Sequence, residues 1–190
     1  GTPPSLAWFR YMDQALTADP ISSVQVRRRI QMYKALLGSR AAIYGDPVEL
    51  TRIIDPNTPK AKQLGVDFAS TLGTGGVLGT KFTLPEYSAQ FPNTSLNPEK
   101  DAYWKHWIGI YNDKMLSKGE FRDLYTFGYD SPEAYAIEKD GSMYYAFFSS
   151  NESPSLSPKK NPKNIWKGEV ELRGLQAGDY RVVDYVTHRE

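Results

Sequence analysis

At 190 residues the chain is long enough for one domain, or for part of a domain plus a small one. It is 40% hydrophobic and 13% aromatic, which excludes intrinsic disorder. Its 23 basic and 22 acidic residues leave a net charge of +1, so composition makes no electrostatic case for nucleic acid.

Residues 1–23 carry no leader pattern and read as the inside of a motif rather than the start of a domain. A loop bearing Asp19 leads directly into a capped helix, and the strand feeding that loop is expected upstream of residue 1. Ser22 and Gln25 stand in the reciprocal positions of a capping box. The helix behind them is expected to run to about Leu37, with Val26, Ile30, Tyr33 and Leu37 on one apolar face and Gly38 as its stop. Arg27, Arg28 and Arg29 fan out by about 100° per residue on such a helix. They are expected to be solvated charge.

Residues 40–46 form a short apolar run ending in Gly45-Asp46, the pattern of a buried parallel strand with a loop at its carboxyl end. A short helix is expected near residues 67–72 and a second strand over 77–84. Gly73, Gly75, Gly76 and Gly79 lack the spacing of a phosphate loop and read as turns. The strongest helical signal follows. Asn97 caps it, Pro98 takes the first turn, Glu99 and Asp101 complement its dipole, and Gly119 ends it. Trp104, Trp107, Ile108, Tyr111 and Met115 line one face, a spacing that favours core over ligand platform.

From about Phe121 the period changes to two. Residues 133–138 and 142–148 read as a hairpin about Asp140-Gly141. Residues 149–164 read as a long exposed loop. Residues 165–173, with Trp166, Val170 and Leu172 inward, and residues 180–186 read as two further strands. The expected architecture is α/β followed by all-β. Residues 1–120 match the last part of a (β/α)8 barrel, which needs about 250 residues in full. Residues 121–190 match a small antiparallel β-sandwich domain.

The 13 Tyr and 4 Trp suit either sugar stacking or simple β-richness. There are no cysteines, so disulfides and thiolate metal sites are excluded. The compartment stays open, since periplasmic or secreted bacterial enzymes can also lack Cys. No apolar run approaches the ~20 residues of a membrane span. His106 and His188 are separated and make no metal site, and no cofactor is implied.

Three places in this order of elements resemble the α-galactosidases of glycoside hydrolase family 36 and their relatives. Tyr11-Met12, Gln14 and Thr17-Ala18-Asp19 are similar to the family's segment ending in Thr-Ser-Asp. Tyr44-Gly45-Asp46-Pro47-Val48 sits where the family has a Gly-containing loop after its seventh strand. Lys118-Gly119-Glu120-Phe121 and Leu172-Arg173-Gly174-Leu175 are similar to its helix-end and late β-domain words, the latter continuing as Asp179-Tyr180-Arg181-Val182. The resemblance implies a C-terminal portion of a retaining glycosidase, with Asp19 as general acid/base and the nucleophile on a strand outside this chain. Galactose is the sugar it implies. The chain departs from the family at its first residues, where Gly1-Thr2-Pro3-Pro4 replaces a Cys and a Gly-rich run, and at Ser22, where a second Asp is common.

Such an enzyme needs two carboxylates about 5–5.5 Å apart. Read from the residues alone, Asp19 also fits a helix N-terminus favoured by the dipole. Gln14, Thr17 and Asp46 are candidates for hydrogen bonds to sugar hydroxyls and equally for loop architecture. Trp8 is the aromatic placed nearest to a sugar subsite, with a core role as the alternative. The expected partners are a glycoside or oligosaccharide and the missing half of the barrel, or else a second copy of the chain. A non-catalytic sugar-binding or assembly module on the same scaffold is the competing reading.

Overall fold

A strand of three residues sets the first layer. Strand β1 (Gln14–Leu16) buries Ala15 and exposes Gln14 and Leu16, so the side turned to the protein is fixed by period two. The computed structural model describes residues 5–17, 22–45, 48–49, 67–81, 98–148 and 167–189. Asp19, Asp46, Asn97, Ile165, Trp166 and the stretch 149–164 lie outside the described residues. β1 also corrects the expected layout. The strand feeding the segment that carries Asp19 lies within the chain, immediately before Thr17, and is too short to show as a pattern.

Helix α1 (Ser23–Leu37) follows. The Ser22 hydroxyl accepts from the Gln25 amide at 3.3 Å, and the Ser22 amide donates to Gln25 Oε1 at 3.1 Å. Two amides that the helix start would leave unpaired are thereby satisfied. Val26, Ile30 and Tyr33 are buried against Ala41 and Ile43, with Phe9 and Leu37 at the margin. Strand β2 (Ala42–Tyr44) runs parallel to β1, with Gln14 beside Ala42, Ala15 beside Ile43 and Leu16 beside Tyr44. Tyr44 bridges in parallel to Val77. Strand β3 (Val48–Glu49) pairs in parallel with β4 (Thr80–Lys81). Helix α2 (Phe68–Gly73) precedes that last track, and Asp67 caps it by accepting from the Ser70 amide at 3.1 Å. Residues 82–84 of the expected second strand lie outside the described residues.

The glycines around α2 are more than turns. Gly75 has φ +74° and needs its left-handed conformation. Gly76 is set by space: a Cβ there would lie 2.6 Å from Ile30 Cδ1, 2.8 Å from Thr71 Cγ2 and 3.2 Å from the Ile43 carbonyl oxygen. Gly109, in helix α3 (Pro98–Lys114), has nothing among the described residues within 4 Å of an added Cβ. Gly76→Ala is expected to destabilise by roughly 1–3 kcal/mol through overpacking. Gly109→Ala is expected to stabilise by up to about 1 kcal/mol. Urea midpoints moving in opposite directions would bear this out.

α3 ends at Lys114, earlier than expected. Met115 turns into the left-handed region at φ 45°, and residues Leu116–Lys118 form a 3-10 turn before Gly119. Its tryptophans are core: Trp104 and Trp107 pack around Phe68, and Trp107 and Tyr111 pack on Leu72, Ile110, Leu116 and Ile137.

Strands β5 (Glu120–Arg122), β6 (Glu133–Lys139) and β7 (Ser142–Phe148) form an antiparallel sheet in that order. Asp140 at φ 51° and Gly141 at φ 74° make the β6–β7 turn, since both central residues of such a tight hairpin need positive φ. The two further strands are not formed. Among the described residues, 167–173 and 180–186 join no named strand, Asp184 making only an isolated antiparallel bridge to Arg189, so the described β region is a three-stranded sheet rather than a sandwich. Tyrosine hydroxyls hold the first segment instead: Tyr125 donates to the Glu171 carbonyl and Tyr145 to the Arg173 carbonyl, both at 2.6 Å.

Of the three arginines of α1, Arg28 is exposed as expected, whereas Arg29 is half-buried and Arg27 buried. Arg28 lies over the Phe127 ring at 3.5 Å, and Arg29 donates to the Thr17 carbonyl at 2.8 Å. Arg27 is buried and bidentate to Glu133, at 2.6 and 2.8 Å, and donates to Ser70 Oγ at 2.8 Å. It also lies over the Phe148 ring, and Tyr135 donates to Glu133 at 2.5 Å. Burial alone would lower the Arg27 pKa; the Glu133 carboxylate outweighs it and the net displacement is upward. One ion pair therefore joins α1 and α2 to the antiparallel sheet.

Candidate active site

Neighbours across a parallel ladder point to the same side of the sheet. Ile43 packs on α1, so its partner Ala15 faces α1 as well, and Thr17 continues that side two residues later. Gln14, Leu16, Ala42 and Tyr44 belong to the opposite side. Gln14 and Leu16 are exposed there, and Ala42 and Tyr44 are half-buried. The parallel strands thus have one face closed by helix and one open face.

Thr17 is fully buried on the closed side. Its amide donates to the Tyr44 carbonyl at 2.9 Å, and its carbonyl accepts from Arg29. Its Oγ1 has no hydrogen-bond partner among the described residues. A buried hydroxyl left unmatched is costly, so this group marks a place where the local structure is built around a constraint. Residues 18–21, including Asp19, join the carboxyl end of β1 to the α1 cap. In parallel β/α architectures that end of the strands is where ligands are bound.

Trp8 lies in a 3-10 turn (Leu6–Arg10) and is 56% exposed. Tyr11, at the turn's end, is 88% exposed, and Leu6 and Met12 are exposed beside them. The structure therefore places Gln14 on the open face, Thr17 on the closed one, and Trp8 on the surface before β1. Asp19 and Asp46 follow in sequence from the carboxyl ends of β1 and β2, at positions outside the described residues. Sequence reasoning missed Tyr44 as an open-face residue. Only the register with Leu16 reveals its side.

Among the described residues no cluster of His, Asp and Glu is arranged to hold a metal ion, and no helix is long and apolar enough to cross a membrane. No family model matches the chain. A search of curated proteins finds an A type blood alpha-D-galactosamine galactosaminidase from Flavonifractor plautii. It is 36% identical over 191 residues, covering 100% of this chain. The chain spans 14% of that protein's length.

Proposed function

We propose that this chain, homologous over its whole length to part of a galactosaminidase and so of α-galactosidase-like glycoside hydrolase descent, is one segment of a retaining glycosidase. The substrate is a glycoside with a terminal α-linked galactose or galactosamine. Asp19 is the general acid/base, and the nucleophilic carboxylate comes from polypeptide outside these residues. The observation carrying this reading is the β1–α1–β2 unit, with Asp19 in the connection from a parallel strand's carboxyl end to a capped helix. The family-like word Thr17-Ala18-Asp19 supplies the second support.

Residues 1–120 are then the last β/α units of a (β/α)8 barrel, and residues 121–190 belong to an attached β-domain. The open face of β1 and β2 becomes the barrel interior. Its exposed Gln14 suits a hydrogen bond to a sugar hydroxyl, and exposed Trp8 suits stacking on a pyranose face. Asp46 would sit at the mouth after β2. Thr17, turned to the helix, holds the Asp19 segment rather than the sugar.

In retaining hydrolysis Asp19 first donates its proton to the glycosidic oxygen as the nucleophile attacks the anomeric carbon. It then removes a proton from the water that releases the sugar. The assay is release of nitrophenol from nitrophenyl α-galactoside and α-galactosaminide by the full-length protein, beside its Asp19→Asn form. Unchanged turnover in that variant would remove the proposal.

A barrel cut to its last units leaves β1 as an edge and its interior face open. The isolated 190-residue chain is therefore expected to sediment above the monomer mass and to bind a hydrophobe-sensing dye through Leu6, Trp8, Tyr11 and Leu16. Addition of the remaining polypeptide should abolish both. A compact, dye-negative monomer would contradict this.

A further inference from the structure

Asp19 belongs to the short connection 18–21, whose two flanking residues are fixed by different means. On one side Ser22 closes the capping box with Gln25 and is locked to the first turn of α1. On the other side Thr17 is fully buried and donates its amide to the Tyr44 carbonyl at 2.9 Å. The Thr17 carbonyl accepts from Arg29 Nη1 at 2.8 Å. Long helical side chains lean toward the helix start, and Arg29 stands about 9 Å of axis beyond Ser23. Its half-buried side chain therefore reaches back along α1 to the carboxyl end of β1.

A charge-assisted bond fixes the direction of the carbonyl that accepts it. A peptide is planar, so fixing that carbonyl also fixes the direction in which the chain leaves Thr17. We propose that Arg29 is a positioning residue for the reaction, holding the Asp19 carboxyl in line with the glycosidic oxygen through the Thr17 carbonyl. The inference rests on the acid/base reading of Asp19 given above. A proton donor displaced by about 1 Å costs on the order of 10²-fold in rate. If Arg29 only tied helix to strand, its loss would lower stability and leave the turnover of the folded protein intact.

The test is steady-state kinetics of Arg29→Met in the full-length protein, alone and combined with Asp19→Asn, below the thermal midpoint of each variant. Arg29→Met is expected to lower kcat for sugar-leaving substrates by roughly 10–10²-fold, with KM within about threefold of the parent. Arg29→Lys, which keeps a charged donor, should recover most of that loss. In the Asp19→Asn background, followed on a nitrophenyl glycoside with azide, Arg29→Met should add less than about threefold, because the group it positions is already gone. Parent-like kcat in folded Arg29→Met overturns the proposal, as does a full further loss in the Asp19→Asn background. Should Arg29→Met not fold, Arg29→Gln, with a neutral donor on a shorter stem, carries the same expectations. Parent-like turnover in Asp19→Asn alone removes the role of Asp19 and the proposal with it. An inactive Asp19→Asn beside a parent-like Arg29→Met removes the proposal only.

Discussion

Asp19→Asn in the full-length protein is expected to lower turnover of natural, sugar-leaving substrates by about 10²–10⁴-fold. The loss should depend on the leaving group. An aglycone that departs readily as an anion needs little protonation, so nitrophenyl glycosides should retain glycosylation while their deglycosylation slows. A small anionic nucleophile such as azide should then restore turnover of the nitrophenyl substrate, because it attacks the glycosyl-enzyme without needing a base. This pattern separates an acid/base from a nucleophile, whose loss blocks the first step for every substrate. Equal losses on both substrate types, with no rescue by azide, would reassign Asp19.

The second large effect is on stability. Arg27→Met removes a buried cation and leaves the Glu133 carboxylate enclosed beside Tyr135 without its counter-charge. A loss of about 3–5 kcal/mol is expected, and the unfolding midpoint should fall by roughly 6–20 °C. The double exchange Arg27→Met with Glu133→Leu should recover most of it, because two buried charges are then replaced by apolar volume. Thermal and urea unfolding of both variants decide this. A single variant within about 1 kcal/mol of the parent would mean that the pair is hydrated and contributes as a surface pair does.

The capping box at Ser22, the apolar face of α1, the tryptophan face of α3 and the Asp140-Gly141 hairpin were legible because each is local. Capping, 3.6-residue periodicity and turn chemistry are written within a few residues. What escaped was non-local or very short. β1 has three residues, too few for alternation to stand out. The Arg27 environment depends on Glu133 and Phe148, and no local rule places these beside an arginine that precedes them by more than a hundred positions. At 180–186 the sequence has a strand's composition, but the described residues show only the Asp184–Arg189 bridge, since a strand is defined by its neighbour and not by composition. In the candidate site, period two separates the sides of β1, but only the pairing with β2 shows that Gln14 and Tyr44 share the open one. The roles of Asp19 and Asp46 rest on family likeness and on their place in the sequence.

The separation between Arg27 and Glu133 also bears on the order in which the molecule is made. The two residues are 106 positions apart. At about 5–20 residues per second, ribosomal synthesis delivers Glu133 roughly 5–20 s after Arg27. During that interval α1 carries an arginine on its inner side with no carboxylate to meet it, so its docking onto the parallel strands stays reversible. The β6–β7 hairpin, made well after α1, is the step that commits the earlier β/α layer, and a nascent chain stalled before residue 133 should remain open to proteases.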